Sequence, residues 1–83
     1  MRIDRYLKMA RIIKRRTVAQ EACDTGRVSI NGKTAKAGDR VKEGDVIGIR
    51  FGENLRRYQV LTVEESVLKQ GKETVFVALE ENA

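Results

Sequence analysis

Basic side chains crowd the start of the chain, and their types and spacing suit contact with a polyanion. No acidic residue interrupts the stretch from Arg5 to Arg16. Guanidinium and ammonium groups repeated along one surface neutralise the phosphates of a nucleic acid. We therefore predict an RNA-binding surface, with a merely solvated charged face as the alternative. The predicted contact residues are Arg2, Arg5, Arg11, Lys14, Arg15, Arg16, Arg27 and Lys33.

The net charge of +5 conceals an asymmetry between the two halves of the chain. Residues 1–42 hold 12 Lys and Arg against 4 Asp and Glu, a net charge of +8. Residues 43–83 hold 5 Lys and Arg against 8 Asp and Glu, a net charge of −3. A surface charged for solubility mixes the two signs. The concentration of positive charge in one half indicates a polyanionic partner.

Residue types that perform catalysis or bind metals are scarce. The chain has no histidine and one cysteine, Cys23, so the commonest general base and the commonest metal ligand are missing. Cys23 falls on an apolar helical stripe, which predicts a packing role. Glu64, Glu65, Glu80 and Glu81 fall at strand ends and in the tail, where solvated carboxylates are typical. We predict a binding protein, not an enzyme, without catalytic residues, metal, cofactor or small-molecule substrate.

Length and composition predict one small folded domain over residues 1–83. Hydrophobic residues make up 41% of the chain and charged residues 35%, which suits a folded domain better than a disordered one. No apolar stretch approaches the roughly 20 residues that span a bilayer. The basic start lacks the apolar centre of a secretory signal, and one unpaired cysteine fits a reducing compartment. We therefore expect a cytoplasmic protein without membrane association.

A short first helix is predicted over residues 2–11, where apolar side chains recur with helical spacing at Ile3, Tyr6, Leu7 and Ala10. Arg2 borders this apolar face. Tyr6 lies on it, so core packing is favoured for Tyr6 ahead of base stacking. Asp4 and Lys8 are four positions apart and are expected to pair on the other side.

A second helix is predicted over residues 17–25. Thr17 and Gln20 match a capping box, and Gly26 is a natural C-terminal stop. Its buried stripe is predicted to be Val18, Ala19, Ala22 and Cys23. The basic run 14–16 then lies at the junction of the two helices, where the helix start adds free N–H groups.

The remaining residues predict strands. Val28–Ile30 leads into Asn31-Gly32, a strong hairpin signal, and residues 33–36 return. A turn at 43–45 precedes an alternating strand through residue 51, and two more strands are predicted at 55–63 and 74–80, with a turn at 70–72. The hairpin could present Arg27 and Lys33 to phosphate and ribose, whereas its glycines and Asn31 are more simply turn residues. The expected class is α+β, an N-terminal helix pair packed on a small antiparallel sheet.

A set of motifs over about residues 1–51 resembles the RNA-binding domain of ribosomal protein S-four. The set comprises Arg15-Arg16-Thr17-Val18-Ala19, Gly26-Arg27-Val28-Ser29-Ile30-Asn31-Gly32 and Val41-Lys42-Glu43-Gly44-Asp45-Val46-Ile47. Residues 52–83 would add C-terminal strands. The opening residues 1–8, together with Lys14-Arg15-Arg16-Thr17, are similar to the stand-alone branch that contains ribosome quality-control protein P (RqcP) and heat-shock protein fifteen.

This resemblance implies an S-four-like fold with the αL RNA-binding motif and a role in ribosome quality control. The implied partners are large-subunit rRNA, peptidyl-tRNA and an RqcH-like factor that adds alanine tails to stalled chains. Arg2 and Arg16 match the positions of leading rRNA contacts, whereas Arg15 and Thr17 stand where many members have threonine and serine. Two alternatives stay open: an rRNA or tRNA binder in heat-shock-type subunit recycling, and a protein-interaction module for an acidic partner.

Overall fold

The computed structural model describes residues 1–79, which form three helices and a five-stranded antiparallel sheet. The helices are α1 (Ile3–Met9), α2 (Arg16–Asp24) and α3 (Glu65–Gln70). The strands are β1 (Val28–Ile30), β2 (Lys33–Thr34), β3 (Val46–Phe51), β4 (Asn54–Val60) and β5 (Phe76–Leu79). Their spatial order is β2-β1-β3-β4-β5, with every neighbouring pair antiparallel. The predicted α+β class, with the helix pair on a small antiparallel sheet, is confirmed.

The core lies between the helices and one face of the sheet. Ile3, Tyr6 and Leu7 of α1 are fully buried, as is Ile47 of β3. Alternation along β3 places Ile47 and Ile49 on this face, because successive strand side chains point to opposite sides. Each large apolar side chain buried in this way contributes about 1.5–3 kcal/mol. The helix periodicity of residues 2–11 therefore identified the correct core face of α1.

The expected pairing of Asp4 with Lys8 is wrong. Asp4 is fully buried and accepts hydrogen bonds from Gln20 and Arg16 of α2, whereas Lys8 is exposed. An exposed ion pair between residues four positions apart stabilises a helix by a few tenths of a kcal/mol. The hydrogen bonds that a buried carboxylate requires are worth more, so they determine where Asp4 points.

The capping box predicted at the start of the second helix is also wrong. Helix α2 begins at Arg16, so Thr17 lies inside the first turn. The capping residue is Arg15, whose side chain makes no capping bond within the described part of the chain. Gln20 donates its amide hydrogen to Asp4 instead. Water can satisfy an exposed helix start, whereas the buried Asp4 depends on protein donors.

The buried stripe of α2 is narrower than predicted. Ala19, Ala22 and Cys23 are buried with the expected i, i+3, i+4 spacing, but Val18 remains 48% exposed. Val18 lies one position before Ala19, or about 100° around the helix, so its side chain points away from the core.

The end of α2 agrees with the prediction. Gly26 has a φ of +76°, which a residue with a Cβ rarely adopts. Its N–H donates to the carbonyl of Cys23 at 3.0 Å, and the N–H of Arg27 donates to the carbonyl of Ala22 at 2.9 Å. These two bonds form a Schellman motif and turn the chain sharply into β1.

The Asn31-Gly32 hairpin between β1 and β2 is confirmed, and Asn31 has a structural role beyond the turn. Both residues have positive φ, 51° and 85°, as a type I′ turn requires. The Asn31 amide donates to Asp45 Oδ1 at 3.0 Å, and its Oδ1 accepts the N–H of Val46 at 2.9 Å. These bonds tie the hairpin to the start of β3.

The segment after β4 differs from the prediction. The strand expected over 55–63 ends at Val60, and α3 occupies part of the region expected to lead into the turn at 70–72. Helix α3 has six residues and buries one of them, Leu68, so its apolar periodicity is too short to detect. Residues 80–83, including the end of the last predicted strand and Glu81, lie outside the described residues. Within residues 1–79 no helix has the length and apolarity to cross a membrane.

Candidate nucleic-acid interface

The side chains of Arg2 and Arg16 meet at the buried carboxylate of Asp4. Arg2 approaches with Nη2 at 3.3 Å from Oδ2 and Nε at 3.3 Å from Oδ1, while Nε of Arg16 lies 3.3 Å from Oδ2. Gln20 donates from Nε2 to the same Oδ2 at 3.0 Å. We call these four residues the Asp4 cluster. It joins the two predicted leading contacts, Arg2 and Arg16, at one point between α1 and α2.

Asp4 remains ionised although its side chain is fully buried. Burial by itself raises the pKa of this carboxyl group, but the hydrogen bonds from Gln20, from the backbone N–H of Arg5 and from Arg16, with the positive charge of Arg16, outweigh it. The net effect lowers the pKa of Asp4 below its ordinary value. The Asp4 cluster therefore carries a permanent negative charge at its centre at neutral pH.

Both arginine side chains stay accessible at the outer side of this cluster. The Arg2 side chain is 48% exposed and that of Arg16 is 43% exposed. Each guanidinium has five N–H donors, and Asp4 uses a minority of them. The remaining donors can bind an anion from solvent while Asp4 fixes the orientation of the two groups.

A third arginine, Arg40, lies next to Arg2 through backbone pairing. Arg2 and Arg40 form an isolated antiparallel bridge, flanked by bonds from the N–H of Ile3 to the carbonyl of Asp39 at 2.7 Å and from the N–H of Val41 to the carbonyl of Met1 at 2.8 Å. Directly opposed residues of an antiparallel pair project their side chains to the same side. Arg40 was not among the predicted contacts, because pairing between residues 38 positions apart leaves no local signal in the sequence.

The basic run before α2 extends the same region along the chain. Lys14 and Arg15 are exposed in the connection between the helices, and Arg16 opens α2. The predicted position of these residues at the helix junction is confirmed. The free N–H groups at the start of α2 add to the positive potential there.

Arg5 and Arg11 are placed differently from the other predicted contacts. The guanidinium of Arg5 forms an ion pair with Glu65, so it ties α1 to α3. The Arg11 guanidinium lies against the end of α3, where a Cβ added to Gly71 would come within 2.9 Å of Nη2. Arg5 therefore helps to hold α3 against the helix pair, and Arg11 lies beside the end of α3. A contact between either of them and RNA stays a prediction.

Arg27 and Lys33 are not part of the Asp4 cluster, although Lys33 lines a surface concavity together with Arg40. Lys33 is exposed on the edge strand β2. Arg27, just before β1, lines an open concavity of about 640 Å³ on the sheet surface, together with Arg50 and Arg57. Arg50 and Arg57 were not among the predicted contacts, because they belong to the half of the chain with net negative charge.

Tyr6 and Cys23, both predicted to pack, are in the core. Tyr6 is fully buried and its hydroxyl donates to the carbonyl of Val75 at 2.9 Å, while burial raises its pKa to about 12. Cys23 is buried too, and burial together with nearby carboxylates raises its pKa to about 11. The half-buried ring of Tyr58 packs edge-to-face on Phe76 at 5.3 Å. Stacking of Tyr6 on a base would require the core to open.

The S4 domain family matches residues 1–47, which is more than half of the chain and includes the whole Asp4 cluster. The chain belongs to the S4 domain family. Within it, the chain is 49% identical to an RQC P-site tRNA stabilizing factor of Halalkalibacterium halodurans, over 92% of this chain and 86% of the relative. It is 44% identical to the factor of the same name in Bacillus subtilis, over 98% of this chain and 94% of the relative.

Other relatives of this S4 domain protein place it in the same branch. A heat shock protein 15 homolog of Aeromonas salmonicida is 35% identical over 78% of this chain and 49% of the relative. The trimeric heat shock protein 15 structure of Vibrio cholerae superposes with a TM-score of 0.78 at 24% identity, covering 95% of this chain and 81% of that chain. The solution structure of HP1423 gives the same TM-score at 30% identity and covers 99% and 100% of the two chains. The resemblance to the S-four, RqcP and heat-shock fifteen branch is confirmed.

Proposed function

We propose that this protein binds RNA through the Asp4 cluster and acts on the ribosome in quality control of stalled translation. The observation that carries the proposal is that one buried, ionised carboxylate holds Arg2 and Arg16 with their outer N–H groups open to solvent. Guanidinium groups in this state form charge-assisted hydrogen bonds with phosphate oxygens. Lys14, Arg15 and Arg40 supply further positive charge around them.

Holding the arginines in place strengthens phosphate binding. A free arginine side chain loses about 1.5–2 kcal/mol of rotamer freedom when it is fixed. Asp4 restricts Arg2 and Arg16 already in the free protein, so less of this entropy is lost when RNA binds. The contacts go to phosphate and ribose, which favours recognition of RNA shape over base sequence.

The relatives support a ribosomal target. Those matched over nearly their full length are named RQC P-site tRNA stabilizing factors, which are binding proteins by name. We therefore propose that the RNA partners are large-subunit rRNA and peptidyl-tRNA, in the cytoplasm. By the same resemblance, the protein works beside an RqcH-like factor that adds alanine tails.

A second candidate function is subunit recycling of the heat-shock fifteen type. The match to a heat shock protein 15 homolog favours it, but that relative is covered over 49% of its length. The two functions share RNA binding and differ in the downstream partner. Addition of an RqcH-like factor and alanyl-tRNA to the bound complex separates them, because alanine tailing should depend on this protein in the first case alone.

Co-sedimentation with purified large ribosomal subunits tests the proposal. Wild-type protein should pellet with the subunits, and release should follow treatment with RNase or an increase in salt. The double variant Arg2→Ala/Arg16→Ala should remain in the supernatant. The matched control is Lys69→Ala/Lys72→Ala, which removes the same charge from the exposed end of α3 and the residues after it. Equal losses in both variants would contradict the proposed interface.

A further inference from the structure

A groove of about 270 Å³ lies between α2 and the end of β3. Nine residues line it, and the six apolar ones come from the connection between α1 and α2, from α2 and from β3. Ile13, Ala22 and Ile49 are buried and form its floor. Val18 and Phe51 are 48% and 43% exposed. We call this surface the α2–β3 groove, and its apolar residues are Ile12, Ile13, Val18, Ala22, Ile49 and Phe51.

The two exposed apolar side chains of the groove lie together although they are distant in the sequence. Val18 is on a flank of α2, and Phe51 is the last residue of β3, where strand alternation turns it to the same face as Ile49. Single apolar residues scattered over a surface are ordinary, whereas neighbouring ones around a depression are typical of an interaction site. Burial of these two side chains by a partner would be favourable, because each keeps nearly half of its surface in water.

The charged side chains that line the groove indicate which partner fits it. Arg27 and Arg50 lie on the strand side and are neighbours, because the N–H of Arg50 donates to the carbonyl of Arg27 at 2.9 Å. Glu21, the third charged lining residue, is exposed on the helix side. Two positive groups beside an apolar depression complement an acidic side chain next to an apolar one. The apolar lining offers phosphate no hydrogen-bond donors, so it favours a protein segment over RNA.

The groove and the Asp4 cluster lie on different flanks of α2. Val18 is two positions from Arg16 and two from Gln20, and two positions correspond to about 160° around a helix. Arg16 and Gln20 both donate to Asp4. A partner beside Val18 therefore leaves the arginines of the Asp4 cluster accessible.

We propose that the α2–β3 groove binds a short segment of a protein partner. The segment inserts a large apolar side chain beside Val18 and Phe51 and places an acidic side chain against Arg27 and Arg50. The groove volume is slightly below the range of about 300–1,000 Å³ found for small-molecule pockets, which suits an anchoring side chain. Occupation of the groove does not depend on RNA binding.

A second copy of this chain is the competing occupant and fits less well. A two-fold contact sets the same surface of each copy against the other, so groove would face groove with no protruding side chain to fill either. Each copy also carries a net charge of +5, which opposes self-association.

Selection from a library of random dodecapeptides displayed on phage tests the groove. Immobilised wild-type protein should enrich sequences in which Leu, Ile or Phe stands beside Asp or Glu. The most enriched sequence, made as a fluorescein-labelled peptide, should bind wild-type protein in an anisotropy titration. Val18→Ser/Phe51→Ser should weaken this binding by about tenfold or more, because the anchoring side chain loses its apolar contacts. The matched control Leu55→Ser/Leu61→Ser makes the same kind of change at two other exposed apolar residues and should keep wild-type affinity.

A second pair of variants tests the acidic contact. Arg27→Ala/Arg50→Ala should also weaken binding of the labelled peptide, and the difference from wild type should shrink as salt rises. Lys69→Ala/Lys72→Ala removes the same charge at and after the end of α3 and should leave peptide binding unchanged. All the replaced residues are exposed, so melting temperatures should stay within a few degrees of wild type.

Failure to enrich any sequence, or enrichment of sequences without an apolar–acidic pair, would overturn the proposal. Equal losses of peptide binding in Val18→Ser/Phe51→Ser and its control would overturn it too. Binding to protein-free rRNA of the large subunit keeps the proposed function separate, because Val18→Ser/Phe51→Ser should bind this rRNA like wild type. Selective loss of rRNA binding in that variant would make the groove an RNA contact instead. A dimer of the free protein, detected by light scattering and abolished by the same variant, would make it an interface between copies.

Discussion

Arg16, the first residue of α2, donates from Nε to Oδ2 of Asp4 at 3.3 Å, and Asp4 is fully buried in α1. This bond contributes to the packing of the two helices, and it also fixes the orientation of the arginine side chain. The carboxylate is buried because α1 turns it towards α2, and it stays ionised because α2 supplies Arg16 and Gln20. Asp4 therefore couples the stability of the helix pair to the orientation of the arginine side chains at the interface.

The first prediction concerns acid stability. The pKa of Asp4 is lowered in the folded protein, and its unfolded value is about 3.9. A lowered folded pKa contributes stability that is present above the unfolded pKa and is lost as pH falls through the folded pKa. The free energy of unfolding, measured by urea titration, should therefore fall in the wild type as the pH drops below about 5 and through the lowered pKa of Asp4. In Asp4→Asn this part of the fall should disappear.

Two further features define the Asp4→Asn experiment. At pH 7 the variant should be less stable by about 1–3 kcal/mol, because an amide cannot accept all the donors that converge on Asp4. Asp24→Asn is the control, since Asp24 is exposed at the end of α2. An acid profile of Asp4→Asn that matches the wild type would show that this carboxylate does not hold the helix pair.

The second prediction separates charge from geometry at Arg16. Arg16→Ala should weaken binding to large subunits by about tenfold or more, since a charged hydrogen bond contributes about 1.5–3 kcal/mol. Arg16→Lys keeps the charge, but an ammonium group cannot bond Asp4 and a phosphate in the planar geometry of a guanidinium. We expect it to recover part of the affinity, measured by quantitative co-sedimentation. Full recovery would mean that charge alone suffices at this position.

Stability should change little in the same variants. The Arg16 side chain is 43% exposed, and without it the buried Asp4 still accepts from Arg2, Gln20 and the backbone N–H of Arg5. The loss of this partly screened ion pair should therefore cost about 1 kcal/mol or less. The melting temperature of Arg16→Ala should therefore stay within a few degrees of the wild type. A large drop would assign the loss of binding to unfolding.

Salt dependence supplies the third prediction. Each neutralised phosphate contributes a slope of about 0.7–0.9 to the fall of log K with log salt. An interface that includes Arg2, Arg15, Arg16 and Arg40 should give a slope of several units for large subunits. Arg40→Ala should lower that slope by about one, whereas Lys69→Ala should leave it unchanged. A slope near zero in the wild type would argue against phosphate contacts altogether.

Features of the fold that depend on interactions within a few residues could be predicted from the sequence, whereas features that depend on distant residues could not. The helix pair, the glycine stop at Gly26 and the Asn31-Gly32 turn were predictable, because each follows from side-chain spacing or backbone conformation within a few residues. The short helix α3 was missed, since six residues with one buried side chain carry too little periodicity. The capping box predicted from Thr17 and Gln20 was wrong, because the Gln20 amide donates to the buried carboxylate of Asp4 in α1.

The residue types of the candidate site were predicted, but the contacts between these residues were not. Charge clustering and family motifs pointed to Arg2 and Arg16, yet neither indicates that Asp4 lies between them. Arg40 was not predicted because its place depends on pairing with Arg2, 38 positions away in the chain. Sequence patterns report which faces are buried, whereas the positions of exposed arginines relative to one another come from tertiary pairing.

The last prediction concerns Cys23, whose thiol is buried in α2 and has a pKa raised to about 11. At pH 8 the thiol is therefore almost fully protonated, and the folded protein should react slowly with iodoacetamide, while urea-unfolded protein reacts readily. Cys23→Ala should lower the free energy of unfolding by about 1 kcal/mol through a small cavity and leave co-sedimentation with large subunits unchanged. Cys23→Ser separates size from polarity, because it keeps the volume but buries a hydroxyl group and should cost more than alanine. Rapid alkylation of the native protein, or loss of subunit binding in a folded Cys23→Ala, would contradict a packing role and make the thiol part of the binding surface.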